Sequence, residues 1–245
     1  MKRGTVRAHP LLVSLRRELA RVAEPARAPA MQAYMKSELP FWGVSAVKLR
    51  ALCRALFAAQ TFASAEDWRA AVLALWRGAE RREERYAAIA LSGVRAAKPF
   101  QDLDALPMYE EMIVTGAWWD YVDVLAAHRI GPLLAAYPRE MPKILLRWSR
   151  SPNLWRRRSA ILCQLSFGKA TDVALLYACI EPSLSSKEFF LQKATGWALR
   201  QLARTEPREV LRYVKAHRAE LSPLSQREAL KHLAPAVPRA KRAQK

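Results

Sequence analysis

Residues 185–200 read Ser-Ser-Lys-Glu-Phe-Phe-Leu-Gln-Lys-Ala-Thr-Gly-Trp-Ala-Leu-Arg, and this stretch decides the fold class. Its apolar residues recur at the three- and four-residue spacing of an amphipathic helix. Similar segments of roughly 10–18 residues fill the rest of the chain, without strand-like alternation. Short breaks separate them at Pro25, Pro40, Gly78, Pro99, Pro138, Pro152, Pro182, Pro207 and Pro223. The sequence therefore predicts an all-α protein of about a dozen helices.

The spacing of the breaks indicates how these helices are arranged. The chain has only 8 glycines, none adjacent to another, and is rich in helix-forming Ala, Leu, Arg and Glu. Short loops between short helices favour helix hairpins stacked side by side, as in an α-solenoid of HEAT-like repeats. No sharp sequence period is present, so a globular helical bundle remains an alternative.

The charge indicates the kind of partner. Lys and Arg number 41 against 22 Asp and Glu, which gives a net charge of +19 and favours a polyanion. A membrane surface would need an apolar anchor, and Arg7, Arg16 and Arg17 interrupt any signal-peptide core. Cys53, Cys163 and Cys179 form no paired motif, which favours a reducing compartment and a role as buried apolar residues. We therefore expect a cytoplasmic, nucleic-acid-binding protein with no membrane partner.

Several common cofactor sites have no matching motif. Phosphate-binding and dinucleotide-binding loops need closely spaced glycines, so we expect no nucleotide cofactor. His9, His128, His217 and His232 are scattered without ligand spacing, so neither a zinc site nor a histidine base is predicted. The sequence thus predicts no cofactor and no metal.

The stretch Gly116-Ala-Trp-Trp-Asp-Tyr-Val-Asp123 carries the first candidate site. On a helix, Trp118, Val122 and Leu125 share an apolar face, whereas Trp119 and Asp123 share another face about 100° away. Three structural alternatives remain open: a packed tryptophan, a solvated or salt-bridged carboxylate, and a metal site formed by Asp120 and Asp123.

Two further stretches place cations on helix faces. On the helix that begins in residues 153–162, Arg158 falls inside an arc formed by Trp155, Ser159, Ile161, Leu162 and Leu165. Its guanidinium therefore needs an anion, Asp123 or a phosphate, unless it reaches solvent. In residues 193–204, Lys193, Trp197, Arg200 and Arg204 follow 4, 3, 4 spacing along one helical edge. A solvated charged face would explain the cations alone, but the embedded Trp197 favours contact with a nucleic acid.

These residues carry a resemblance to a known family. Trp118-Trp119-Asp120-x-Val122-Asp123, Trp155 with Arg158-x-Ala160-Ile161-Leu162, residues 185–200 and Pro223-Leu-Ser-x-Arg227-Glu228-Ala resemble the AlkD-like family of bacterial DNA alkylation repair glycosylases. Tyr34-Met35-Lys36 and Phe41-x-Gly43 extend the likeness, which covers roughly residues 10–235. One departure is Ser45-Ala46-Val47, where the family has a Thr-Pro helix start; Ser45 can still cap the helix, but a DNA contact from this side chain is in doubt.

The resemblance implies a fold, an activity and a set of residues. It implies HEAT-like repeats with a concave basic surface that binds double-stranded DNA, and removal of cationic N3- and N7-alkylated purines by a monofunctional glycosylase. It places the catalytic carboxylate on Asp123, the sugar-contacting tryptophans on Trp119 and Trp197, and the active-site arginine on Arg158. We expect DNA contacts from Lys193, Arg200, Arg204, Lys187, Arg156, Arg157, Tyr34 and Lys36.

The expected organisation is one HEAT-like domain, residues 10–235, between basic tails at 1–9 and 236–245, acting as a monomer. Two other classes of protein compete with the enzyme. A non-catalytic HEAT-like protein that binds distorted or branched DNA would need the basic stripe but not Asp123 with both tryptophans. A protein-interaction scaffold would explain the helices but leave the net charge of +19 without a purpose.

Overall fold

The computed structural model describes residues 9–233, and within this range the prediction of an all-α protein is confirmed. Fourteen α-helices, several short 3-10 segments and one π-helical turn occur in the described part, and no strand does. The predicted basic tails lie outside the described residues, except for His9. Residues 234–235 of the predicted domain lie outside them too.

The chain divides into two compact units, with the boundary between Thr115 and Gly116. The helices of the first unit are α1 (Pro10–Val22), α2 (Ala28–Met35), α3 (Ala46–Phe57), α4 (Ala65–Arg77), α5 (Arg82–Leu91) and α6 (Leu106–Gly116), whose last residue crosses the boundary. Those of the second unit are α7 (Trp119–Leu125), α8 (Gly131–Ala136), α9 (Met141–Ser149), α10 (Leu154–Leu162), α11 (Val173–Ile180), α12 (Phe189–Leu202), α13 (Pro207–Ala216) and α14 (Pro223–Ala229).

Helix ends follow the signals in the sequence. Pro207 and Pro223 are the first residues of α13 and α14, where a missing N–H costs nothing, and Gly78 caps the end of α4. Ser45 caps α3 by accepting the main-chain N–H of Lys48 at 3.4 Å, so the helix start survives the departure from the family pattern. Within each unit, helices pack on near neighbours in the chain, which is compatible with the expected solenoid of helical repeats.

In the first unit, a buried carboxylate fixes the loop that precedes α3. The side chain of Glu83 is fully buried and accepts the main-chain N–H groups of Trp42, Gly43 and Val44 at 3.0, 2.9 and 3.1 Å. Gly43 has a φ of +83°, and a Cβ there would lie 2.1 Å from the carbonyl oxygen of Glu24. Only glycine fits this turn without strain, which gives a structural reason for Gly43 in the Phe41-x-Gly43 motif.

In the second unit, α10 is the central helix, because it packs against α7, α9, α11 and α12. The core beneath these helices includes Ile161, Leu162, Leu191 and Leu199, all buried. Helix α12 in turn packs against α14. This arrangement brings the three sequence stretches with candidate functional residues onto adjacent helices.

All three cysteines are buried and free, as expected. Burial raises the pKa of the Cys53 and Cys179 thiols to about 12 and that of Cys163 well above its ordinary value. The thiols therefore stay neutral at physiological pH, which agrees with a role as apolar core residues.

Candidate active site

Asp123 and Arg158 form a bidentate ion pair between α7 and α10. Nε of Arg158 donates to Oδ1 of Asp123 at 2.7 Å, and Nη2 donates to Oδ2 at 2.8 Å. Nη1 of Arg158 donates to the main-chain oxygen of Phe190 on α12. The sequence left open whether a phosphate or Asp123 satisfies this guanidinium, and in the structure Asp123 does so.

The pair is removed from solvent but is not sealed. The Arg158 side chain is 5% exposed and that of Asp123 is 13% exposed, so the carboxylate keeps a small accessible surface. Burial raises the pKa of the Asp123 carboxyl above its ordinary value, and the hydrogen bonds and charge of Arg158 oppose that rise. Arg158 therefore fixes the orientation of both oxygens of Asp123.

The backbone around α7 explains how Asp123 reaches α10. Ala117 has a φ of +44°, an uncommon value for a residue other than glycine, and it turns the chain into the helix start at Trp118. After α7, residues 126–130 form a π-helical turn that leads directly into α8. A Cβ on Gly131 would lie 2.4 Å from the carbonyl oxygen of Cys163, which follows α10, so glycine permits this close approach.

Phe190 lies next to the guanidinium of the ion pair and packs against two tryptophan rings. The ring of Phe190 lies 5.4 Å from that of Trp118 and 5.1 Å from that of Trp155, between centroids. The guanidinium of Arg158 lies 5.9 Å from the centroid of Phe190. The predicted core face of α7 is confirmed for buried Val122 and Leu125, although Trp118 is the residue that caps the helix rather than part of it.

The two candidate tryptophans are half-buried on different helices of the same unit. Trp119 is the first residue of α7, one turn before Asp123. Trp197 lies in the middle of α12 and packs against the core of the second unit. Each therefore keeps part of its ring accessible, as contact with a sugar requires, and their roles as catalytic residues remain predictions.

The cationic edge of α12 has an internal acidic partner. Glu228 on α14 accepts from Nζ of Lys193 at 2.9 Å and from Nη1 of Arg200. Arg204 is exposed just beyond the end of α12, and Lys187 is exposed just before its start. Lys193, Trp197 and Arg200 of the predicted stripe thus lie on α12, with both cations held by a carboxylate, whereas Arg204 lies beyond the end of the helix.

The remaining predicted DNA-contacting residues lie in different settings. Arg157 donates to Oγ of Ser183 at 2.9 Å and to the carbonyl oxygen of Pro182 at 3.2 Å, so it holds the turn after α11. Arg156 is half-buried on α10. In the first unit, Tyr34 is 78% exposed near the end of α2, and Lys36 caps that helix in the left-handed conformation with a φ of 48°. Their DNA contacts remain predictions.

The sequence predicts no role for two groups that contact the candidate residues, the main-chain oxygen of Phe190 and the carboxylate of Glu228. The Phe190 carbonyl oxygen is a main-chain group and leaves no trace in residue types. Glu228 lies inside the Pro223-Leu-Ser-x-Arg227-Glu228-Ala motif, but its partners are 28 and 35 residues away in the chain.

Two further observations concern a metal site and a membrane span. Among residues 9–233, no three His, Cys, Asp or Glu side chains are close enough together to hold a metal ion. In the same range, no helix is both long enough and apolar enough to cross a membrane.

The fold and the site define a helical protein in which an arginine on α10 holds a partly accessible carboxylate on α7 and also contacts the main chain of α12. A family model described as DNA alkylation repair enzyme matches residues 15–233, and the chain belongs to this family. The resemblance seen in the sequence is therefore confirmed, and with it a role in the repair of alkylation damage, with DNA as the substrate.

Solved structures give the same result. One similar structure is described as a predicted DNA alkylation repair enzyme from Enterococcus faecalis. It is 33% identical in sequence, its TM-score is 0.78, and the match covers 87% of this chain and 98% of that one. No curated protein matches the chain.

Proposed function

We propose that this protein is a monofunctional DNA glycosylase that excises cationic N3- and N7-alkylated purines, such as 3-methyladenine and 7-methylguanine, from duplex DNA. The observation that carries this proposal is the Asp123 carboxylate, fixed by two hydrogen bonds from Arg158 and left 13% exposed. Binding alone would need the basic stripe but not Asp123 together with Trp119 and Trp197.

The chemistry of the lesion explains why one carboxylate is enough. A purine alkylated at N3 or N7 carries a positive charge and leaves as a neutral base, so the enzyme does not have to protonate it. The deoxyribose then becomes oxocarbenium-like, and a fixed carboxylate stabilises that charge and aligns the attacking water. Because Arg158 already orients Asp123, little reorganisation is required when the charge develops.

Trp119 and Trp197 would pack around the sugar and attract both the cationic base and the developing oxocarbenium. Arg158, with three of its N–H groups donated to Asp123 and Phe190, acts in this proposal mainly by holding the carboxylate. The family resemblance implies that the base need not enter a tight pocket, unlike the usual base-flipping enzymes. The protein acts as a cytoplasmic monomer that needs no nucleotide cofactor.

The direct test uses duplex DNA with a single 7-methylguanine. Incubation with the protein should create an abasic site that alkali converts into a strand break, and the released base should appear in chromatography. Tight binding of the duplex with no release of base would instead favour the non-catalytic DNA-binding alternative.

The tryptophans provide a graded prediction. Trp119→Ala and Trp197→Ala should each slow excision roughly 2- to 30-fold, because each removes a cation–π contact of about 0.5–2 kcal/mol. Trp119→Phe and Trp197→Phe, which keep a smaller ring, should recover part of the rate. Single-turnover excision assays measure this, and unchanged rates in both alanine variants would remove the tryptophans from the site.

Salt dependence tests the basic edge of α12. Log affinity should fall with log salt at a slope of about −0.9 for each phosphate contacted, and Arg200→Ala should flatten the slope by roughly one contact. Arg212→Ala on α13 is the matched control, because Arg212 is also paired with a glutamate, Glu209, but lies outside the predicted stripe. Fluorescence anisotropy over a salt series measures both slopes, and a flat profile in the wild type would refute the basic surface.

A further inference from the structure

Glu228 joins two cations that lie on either side of Trp197 along α12. Lys193 and Arg200 are two helical turns apart, and the Glu228 carboxylate accepts from both. The Glu228 side chain is 18% exposed, whereas those of Lys193 and Arg200 are 39% and 20% exposed. These hydrogen bonds and charges lower the pKa of Glu228, so the carboxylate stays ionised at neutral pH.

The packing of α14 on α12 is built around this contact. A Cβ on Gly196 would lie 2.5 Å from Cβ of Glu228 and 2.8 Å from the carbonyl oxygen of Ser225. Oγ of Ser225 donates to the main-chain oxygen of Gln192 at 2.9 Å, which fixes α14 one turn before Glu228. Glycine at position 196, beside Trp197, therefore lets Glu228 come close enough to α12 to reach both cations.

Lys193 and Arg200 can still donate hydrogen bonds to a phosphate while they contact Glu228. An ammonium has three donors and a guanidinium five, so Lys193 and Arg200 keep donors free after each gives one to Glu228. The sum of the three charges is +1, and the two long side chains are held in place rather than moving freely. An ordered pair of cations loses less conformational entropy when it binds a phosphate.

We propose that Glu228 is a positioning residue that holds Lys193 and Arg200 as a clamp for the DNA backbone at the nucleotide facing Trp197. This inference rests on the proposed glycosylase function. A carboxylate beside a DNA-binding surface lowers overall attraction to phosphate, so its presence needs a compensating benefit. The benefit here is a DNA backbone whose position is fixed relative to Trp197 on α12 and to Asp123 on α7 of the same unit.

Glu228→Gln separates positioning from simple charge, because it keeps the shape and removes one negative charge. Positioning predicts that undamaged duplex binds at least as tightly as to the wild type, while single-turnover release of 7-methylguanine falls about tenfold or more. Equal rates in both proteins would overturn the proposal. So would a parallel loss of affinity, rate and thermal stability, because that pattern indicates a structural role alone.

Two further variants sharpen the test. Glu209→Gln on α13 makes the same change in net charge at a carboxylate that also pairs with an arginine, Arg212, and its excision rate should stay at the wild-type level. In a Lys193→Met, Arg200→Met background, adding Glu228→Gln should have little further effect on the rate, because Glu228 acts through these two cations. An undiminished effect in that background would contradict the clamp.

Failure of the Glu228 clamp and failure of the proposed glycosylase function can be told apart. If the wild type releases no base, the glycosylase proposal fails, and the clamp is judged by binding alone. The clamp then requires that Glu228→Gln reduce the ratio of affinities for 7-methylguanine duplex and undamaged duplex. An unchanged ratio would overturn the clamp as well.

Discussion

Asp123→Asn should lower the single-turnover rate of 7-methylguanine release at least about a hundredfold, while affinity for undamaged duplex stays near the wild-type value. The substitution keeps the shape of the side chain but removes the charge that stabilises the oxocarbenium-like transition state. Asp120→Asn is the matched control, because it removes the same charge three residues away, and its rate should remain within a few-fold of the wild type. Equal losses of binding and turnover in Asp123→Asn would contradict the catalytic role.

The buried partner of Asp123 has to be considered in the same experiment. Arg158 is 5% exposed, and removing the charge of its partner leaves a buried cation without a counter-charge. Breaking such a pair costs about 3–5 kcal/mol, so the free energy of unfolding should be measured alongside the rate. The double variant Asp123→Asn, Arg158→Gln removes both charges, and it should recover stability while excision stays lost. Recovery of excision in the double variant would show that the single variant failed through misfolding.

Lesion charge should decide which bases are released. Duplexes with 7-methylguanine or 3-methyladenine should lose the base, whereas matched duplexes with uracil or hypoxanthine should keep it, because these neutral bases leave only after activation by an acid. Both oxygens of Asp123 accept hydrogen bonds from Arg158, so this carboxylate is unsuited to donating a proton to the base. The assay compares the four duplexes side by side in the same sequence context, with base release measured by chromatography.

The same assay tests for strand cleavage. A lyase forms a Schiff base through an amine nucleophile, and the amine nearest in sequence to Trp197, that of Lys193, donates a hydrogen bond to Glu228. Strands should therefore break only after alkali is added. Release of uracil or hypoxanthine at rates similar to the methylated purines would show that the enzyme activates the leaving group, and the carboxylate-only mechanism would have to be abandoned.

The helices could be predicted from the sequence because their signals are local. Apolar spacing gave the all-α class, and proline and glycine marked helix ends such as Gly78, Pro207 and Pro223. The placement of Arg158 inside an apolar arc was also a local property, and its burial at 4% exposure confirms it. The division of the described helices into two compact units was not predicted, because packing between helices has no equally local signal.

The candidate site was predicted as a set of residues but not as a geometry. Periodicity set Trp119 and Asp123 apart from the core face of α7, and the family resemblance supplied their expected roles. Whether Asp123 is solvated, bound to a metal or paired was left open, because helix projection does not say which side chains of another helix are within reach. The packing of α10 against α7 and against the π-helical turn that leads to Gly131 decides that Arg158 contacts both oxygens of Asp123.

The sequence by itself determined that this protein is helical and strongly cationic, and that Trp119 and Asp123 share one helix face, because charge and periodicity are properties of the chain. Only the tertiary structure decided which hydrogen-bond and ion-pair partners the charged groups have. The Phe190 carbonyl holds Arg158, and Glu228 holds Lys193 and Arg200. These contacts join helices that are distant in the chain, and they depend on main-chain atoms and on backbones brought close at Gly131 and Gly196. The pattern of residue types along a single helix does not encode how closely two helices approach each other.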